Sequence, residues 1–349
     1  MKKRKRTTSP ATTSAPTTVP TNGAIPPAAL AAARRRLARA NRVLLLTHVS
    51  PDGDAVGSLL GLGLALRAAG KEVSFACADP IPETFRFLPA CGEITDNPRG
   101  QFDLMITLDT ADVGRLGKLG ENLSRPIDLA LDHHTTNPGY ADLNLIDEAA
   151  ASTAELVAEL LEPLGLPLTR PVAECLLAGI ITDTLGFRTS NVTAKTLALT
   201  HKLVTAGASL PEVYDLSFYK RSFAAMRLWG YGLSRMKLED RIVWTTLTLH
   251  DKEQAHYHGQ GDADLVNTLT SVREADIALI LTERDDGRVK VSWRAVPGLN
   301  VATLAATFGG GGHMAAAGAE IPGPLDEAEK RVLEATRALL KANGSGGAV

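Results

Sequence analysis

The sequence predicts an α/β protein, with a larger N-terminal domain on a mostly parallel sheet and a smaller C-terminal α/β domain richer in antiparallel pairing. Three observations carry this reading. Short apolar runs alternate with helical patterns between residues 42 and 206, as strands and crossover helices do. At 349 residues the chain exceeds what one core usually supports, so two domains are expected. Beyond residue 240 strand patterns follow one another, two of them joined by the hairpin signal Asp285-Asp286-Gly287.

In chain order, residues 1–25 open with Lys2-Lys3-Arg4-Lys5-Arg6 and continue in Thr, Ser, Pro and Ala. Such a segment buries too little apolar surface to offset the entropy of ordering, so a disordered basic tail is expected. It lacks the apolar stretch of a secretory signal. From Pro26 an Ala/Arg helix leads into a strand at 43–47 and a helix at 56–69 closed by Gly70. Strands at 72–78, 104–109 and 127–132 and helices at 152–164, 171–184 and 194–206 complete a first domain over 26–208. Residues 209–238 read as an amphipathic helical connector. Strands at 241–249, 277–283 and 289–293, with helices near 252–258 and 263–269, place the second domain at 239–342, ahead of a frayed tail at 343–349.

The composition narrows the function. Hydrophobic residues make up 44% and charged residues 22%, ordinary for a soluble globular chain. A formal charge of −2 gives no general field to hold a long polyanion, so a nucleic-acid substrate must be gripped locally and small substrates fit best. The 3 cysteines are scattered with no Cys-x-x-Cys pair, which suggests neither a disulfide framework nor a zinc knuckle and suits a reducing, cytoplasmic compartment. No apolar run approaches the ~20 residues that span a bilayer.

In parallel sheets ligands collect at the carboxyl ends of strands, and the acidic clusters fall there. His48-Val-Ser-Pro-Asp52-Gly53-Asp54 follows the first strand, with Gly53 expected to permit a tight turn. Asp109 ends another strand, and Asp132-His133-His134 a third. Asp183 closes a strongly apolar helix, where it opposes the helix dipole unless a cation favours it. Singly, these read as turns, calcium loops or caps. Together His48, Asp52, Asp54, Asp109, His133 and Asp183 form an O/N set without thiolate, suited to two divalent cations, Mn²⁺ before Mg²⁺ because of the nitrogens. A dinuclear pair about 3.5–4 Å apart can generate hydroxide and stabilise an in-line displacement at phosphorus. In the second domain, Gly309-Gly310-Gly311-Gly312-His313 exposes backbone N–H groups that could cradle a phosphate, and Arg294 near a strand end could fork onto one.

These motifs resemble the DHH phosphoesterases, named for Asp132-His133-His134, over about residues 40–322, and within them the stand-alone oligoribonuclease and phosphoadenosine-phosphate phosphatase type. The resemblance implies a DHH domain and a DHH-associated domain with the active site in the cleft between them. It implies that His48, Asp52 and Asp109 hold one metal and Asp54, Asp109, His133 and Asp183 the other, with Asp109 bridging. His134 would either support the metal ligands from behind or contact the reacting phosphate, and Asp132 would orient a histidine. Arg294, Gly309 to Gly312 and His313 would hold the nucleotide; Arg188 joins them, with packing or capping an equal explanation. Ala295 stands where a small hydroxyl residue is the family pattern, which puts one substrate hydrogen bond in doubt. The implied reaction is hydrolysis of oligonucleotides of about two to five units to mononucleotides, or removal of the 3′-phosphate from pAp. Linear or cyclic dinucleotides as main substrate, and a weakly catalytic dinucleotide sensor, are the alternatives. A manganese pyrophosphatase would lack the Gly-Gly-Gly-Gly-His segment, and a RecJ-like exonuclease would need a further nucleic-acid module. Nucleic-acid type and oligomeric state stay open, a homodimer being compatible with the sequence.

Overall fold

The computed structural model describes residues 25–344 apart from 124 and 260. The basic tail therefore lies almost wholly outside the described residues. The chain divides into two compact units at Lys220 and Arg221.

The first unit begins with α1 (Pro27–Arg39), whose proline occupies the first turn, where no amide partner is needed. The alternation that follows is β1 (Arg42–Leu46), α2 (Gly53–Ala68), β2 (Glu72–Ala76), β3 (Leu104–Leu108), α3 (Lys118–Glu121), β4 (Leu129–Asp132) and β5 (Asn144–Ile146). Helices α4 (Thr153–Leu164), α5 (Arg170–Asp183), α6 (Ala194–Thr205) and α7 (Leu210–Tyr214) complete it. The strands lie in the order β2-β1-β3-β4-β5, all neighbours parallel. Both faces are covered, which is why β3 is buried at every residue. Val43 and Leu45 join the core that includes α2, α4 and α5, while Leu44 and Leu46 join the opposite one with Met105 and Leu116. Strand order reverses at β1, so the connections leaving β1 and β3 diverge at their carboxyl ends, the place where such sheets bind ligands.

Helices α2 and α5 run antiparallel at backbone contact. A Cβ on Gly57 would come within 2.6 Å of the Cys175 carbonyl oxygen. Gly53 obeys the same constraint: it adopts no left-handed turn, and a Cβ there would lie 2.3 Å from the Thr182 hydroxyl oxygen. The expected turn role is thus corrected to one of close packing, and the strained loop residue is Ser50, at φ 53°. This contact brings the start of α2, with Asp52 and Asp54, against the end of α5, with Asp183.

The stretch 209–238 is not one helix. After α7 the chain makes a single π-type turn at Asp215–Tyr219, extends at Lys220, and starts α8 (Phe223–Ser234) on a new cap, the Ser222 hydroxyl accepting from the Ala225 amide. In the second unit β6 (Lys237–Glu239), β7 (Ile242–Leu247), α9 (Leu249–Ala255), α10 (Leu265–Leu269), β8 (Ile277–Glu283) and β9 (Arg288–Ala295) are followed by α11 (Val301–Ala306), β10 (Gly311–His313), β11 (Ala316–Pro322) and α12 (Leu325–Gly344). The sheet order is β10-β11-β9-β8-β7-β6, antiparallel except between β7 and β8. Val289, Val291 and Trp293 point from β9 into the core with α11 and α12, so Arg294 belongs to the other face. Helix α12 extends to Gly344, and the rest of the expected frayed tail lies outside the described residues. Among the described residues no helix is long and apolar enough to cross a membrane.

Candidate active site

Four chain segments meet at the carboxyl edge of the first sheet. The loop after β1 brings buried His48, and Asp52 caps α2, its Oδ1 accepting from the amides of Asp54 and Ala55. Asp109 follows β3 in a left-handed conformation, φ 53°, a strained state that aspartate tolerates better than most residues. Asp132 ends β4, ahead of His133 and His134, and Asp183 closes α5.

Three overlapping groups of ligand atoms result, each within 4.8 Å: His48 with Asp52 and Asp109, Asp54 with His133 and Asp183, and Asp109 with His133 and His134. The His48 Nε2 lies 3.5 Å from Asp109 Oδ2, and the His133 Nε2 lies 3.6 Å from both Asp109 Oδ1 and Asp183 Oδ2. Both rings turn their other nitrogen to the backbone, His48 Nδ1 to the Val49 carbonyl at 2.8 Å and His133 Nδ1 to the Ala150 carbonyl at 3.3 Å. That is the arrangement of imidazoles presenting Nε2 lone pairs to a cation. Asp132 is different. Its Oδ1 accepts from the His133 amide and from His134 Nδ1 at 2.7 Å, and its Oδ2 from the Asn137 amide group, so both oxygens orient neighbours.

The electrostatics ask for cations. Burial, then the charges of Asp109, Asp183 and Asp52, pushes the Asp54 carboxyl well above its usual range. Burial also pushes Asp183 up to about 7, His133 opposing and Asp52 and Asp109 adding to the rise. Asp109 goes the other way: burial would raise it, but the His48 hydrogen bond and the three nearby imidazoles hold it low. For His48 and His134 burial works against the proton, yet the carboxylates prevail and raise both, His134 to about 9. Buried carboxylates and imidazole nitrogens, without thiolate, fit hard or borderline divalent cations.

A pH dependence follows for the metal-free protein. An Asp183 carboxyl with its folded pKa near 7 and its unfolded value at 3.8 binds a proton better when folded. Its stabilising contribution is complete below the unfolded value and is lost as pH rises through 7. His134 acts in the same direction, its contribution present below 6.5 and lost as pH rises through 9. The melting temperature of EDTA-treated protein should therefore fall between about pH 5 and 9, with divalent cations restoring more of it at the upper end. A rise over that interval in calorimetry would contradict the cluster's electrostatics.

The site also uses groups the sequence reading missed. The Thr153 and Ala154 amides, at the start of α4, donate to Asp54 Oδ2 at 2.6 Å and Oδ1 at 2.8 Å, and the Thr153 hydroxyl donates to Asp109 Oδ1 at 2.9 Å. A signal existed: Ser152-x-x-Glu155 is a helix-start pattern, which marks the following amides as an anion site. Replacing Thr153 with valine keeps the shape and removes that donor. Divalent-cation affinity should fall roughly 10- to 100-fold with the fold intact, and Thr153→Ser should restore it. Calorimetric titration of the three proteins decides; equal affinities would show the hydroxyl to be idle.

Of the remaining expected residues, Arg188 does not join this cluster, and Arg294, the glycine run and His313 belong to the second unit. Arg188 is exposed beyond α5, and among the described residues its guanidinium makes no hydrogen bond or ion pair. Arg294 is built into its surroundings, its Nε donating to Asn267 Oδ1 at 2.9 Å and its Nη1 to the Trp293 carbonyl at 2.9 Å. The glycine run forms the turn into edge strand β10: Gly309 adopts φ 75°, Gly310 sits where a Cβ would meet the Gly318 carbonyl oxygen at 2.1 Å, and Gly311 and Gly312 pair with β11. His313 pairs with Ala316, which pairs in turn with Arg294, so the two lie in one register row across the sheet.

A parallel sheet bearing carboxylates and imidazoles at its switch point, with cation-ready geometry, defines a metal-dependent phosphoesterase. The chain belongs to the DHH family, matching its N-terminal domain model over residues 42–180 and the DHHA1 domain model over 247–342. It is 38% identical to the bifunctional oligoribonuclease and PAP phosphatase NrnA of Thermus thermophilus, over 84% of this chain and 89% of that one. With the Bacillus subtilis protein of the same name it shares 30% identity over 85% and 94% of the respective chains. The crystal structure of an exopolyphosphatase-related protein from Bacteroides fragilis superposes with a TM-score of 0.84 at 28% identity, covering 91% of this chain and 98% of that one.

Proposed function

We propose that this phosphoesterase hydrolyses short oligonucleotides to mononucleotides and removes the 3′-phosphate of pAp, using two divalent cations, Mn²⁺ foremost. The convergence of three ligand groups, one of which joins the other two through Asp109 and His133, carries the proposal. The similarity to the two NrnA proteins supports the substrate class. Asp109 reaches both imidazoles and is the candidate bridge; His48 and Asp52 flank it on one side, Asp54, His133 and Asp183 on the other. Bound there, the cations would supply a hydroxide nucleophile near neutral pH and neutralise charge on the phosphoryl group.

The chain's own groups do the rest. Asp132 takes His134 Nδ1 and favours the protonated ring, so His134 can bind a phosphate oxygen or give a proton to the leaving oxygen through Nε2. The Thr153 hydroxyl fixes the rotation of Asp109. In the second unit Arg294, held by Asn267, the glycine run and His313 would bind the nucleotide, although the Gly309 and Gly310 amides already donate to the Ala306 and Ala305 carbonyls. The three free, buried cysteines suit a cytoplasmic setting.

The test is a timed product assay with Mn²⁺, offering pAp, pApA, a short labelled RNA and pyrophosphate side by side, with EDTA controls. Mononucleotides from the short substrates, with pyrophosphate untouched, are expected. Turnover of pyrophosphate alone would overturn the substrate assignment, and binding without turnover would favour a sensor.

A further inference from the structure

Arg115 contacts none of the cluster's carboxylates, yet it lies against one of the cluster's histidines. It belongs to the single 3₁₀ turn Val113–Leu116, which Asp112 caps by accepting from the Arg115 amide at 3.2 Å. The Val49 amide donates to the Arg115 carbonyl at 2.7 Å, and a Cβ on Gly117, at φ 55°, would come within 2.6 Å of the Val49 side chain. This docking sets the guanidinium over the loop after β1, with Nη2 2.8 Å from His48 Nδ1. Among the described residues no carboxylate lies within ion-pair distance of it.

His48 Nδ1 thus has two neighbours at 2.8 Å, the Arg115 guanidinium and the Val49 carbonyl. The first can only donate and the second can only accept, so one ring nitrogen serves one of them at a time. If the Nε2 lone pair is committed to a cation, the ring proton sits on Nδ1 and points to the Val49 carbonyl. Two donors then face each other at Nδ1, and the guanidinium must leave. Charge gives it a destination. The carboxylates of Asp52, Asp54, Asp109 and Asp183 balance two divalent cations, leaving an incoming phosphate monoester dianion largely uncompensated.

We propose that Arg115 binds the phosphate under attack, resting on His48 until a cation takes the ring's other nitrogen. This rests on the two-cation phosphoesterase reading above. The planar fork matches two terminal oxygens of a monoester better than the singly charged diester, so its loss should fall harder on pAp than on dinucleotides.

The experiment compares wild type, Arg115→Met and Arg115→Lys in full-length protein by three measurements. One is titration of inorganic phosphate into Mn²⁺-saturated protein, another titration of Mn²⁺ into metal-free protein, and the third is KM and kcat for pAp and pApA. Arg115→Met should weaken phosphate binding and raise the pAp KM by roughly 10- to 100-fold, the range for a hydrogen bond between charged groups. Arg115→Lys should recover part of this, and Mn²⁺ should bind Arg115→Met as tightly as wild type or more tightly, since a competitor for His48 is gone. Unchanged phosphate affinity in Arg115→Met would overturn the proposal. So would weakened Mn²⁺ binding, which would make Arg115 a support for His48. A wild type inert toward both nucleotides would defeat the phosphoesterase substrate reading, while the phosphate titration would still report on Arg115.

Discussion

Replacing Asp109 with alanine is expected to abolish hydrolysis, by roughly a thousandfold or more, while the protein stays folded. Asp109 reaches both His48 and His133, so its loss removes an oxygen from two of the three ligand groups. Electrostatic stabilisation by metal at phosphorus is worth several kcal/mol, and each 1.4 kcal/mol is about tenfold in rate. The fold should survive because opposing effects partly cancel. Alanine at φ 53° is strained and the Thr153 hydroxyl loses its acceptor, but a buried negative charge that raises Asp54 and Asp183 is gone. A net change within about 2 kcal/mol is expected. Circular dichroism checks the fold and calorimetry the cation binding; retained metal-dependent turnover in Asp109→Ala would remove it from the bridging position.

The second large effect belongs to His134. An asparagine there can still donate to Asp132 but offers no ring proton, so kcat should fall by about 10²- to 10⁴-fold while cation affinity changes little. The pH profile gives the more specific reading. The Asp132 and Asp109 carboxylates raise His134 to about 9 against its burial, and cations bound nearby could only remove the proton earlier. Wild-type kcat should therefore decline on a basic limb no higher than about pH 9, and His134→Asn should lack that limb. Loss of cation binding in His134→Asn would instead make it a ligand; an unchanged kcat would make it a bystander.

The candidate ligand residues were legible in the sequence because the sheet is parallel. Its strands are apolar on both faces, so each polar residue that ends one stands out, as His48, Asp109 and Asp132 do. Asp183 was legible for a related reason, as a charge that follows the apolar run of α5. Groups acting through tertiary contact were not. Thr153 and Arg115 sit 44 positions from Asp109 and 67 from His48, respectively, and nothing in their neighbours announces those partners. The role of Gly53 was misread because its constraint comes from Thr182, in a different helix. Strands β5, β6 and β10 span only three residues each, too few to show alternation. In β10 and β11 glycine and alanine further mask the strand pattern.

The most direct test of the two-cation centre is a crystal structure of the protein grown with Mn²⁺, read by anomalous scattering. Two peaks about 3.5–4 Å apart are predicted, one beside His48 and Asp52, the other beside Asp54, His133 and Asp183, with Asp109 touching both. A single peak, or a pair in which Asp109 touches only one, would contradict the shared-carboxylate centre on which the proposed chemistry depends.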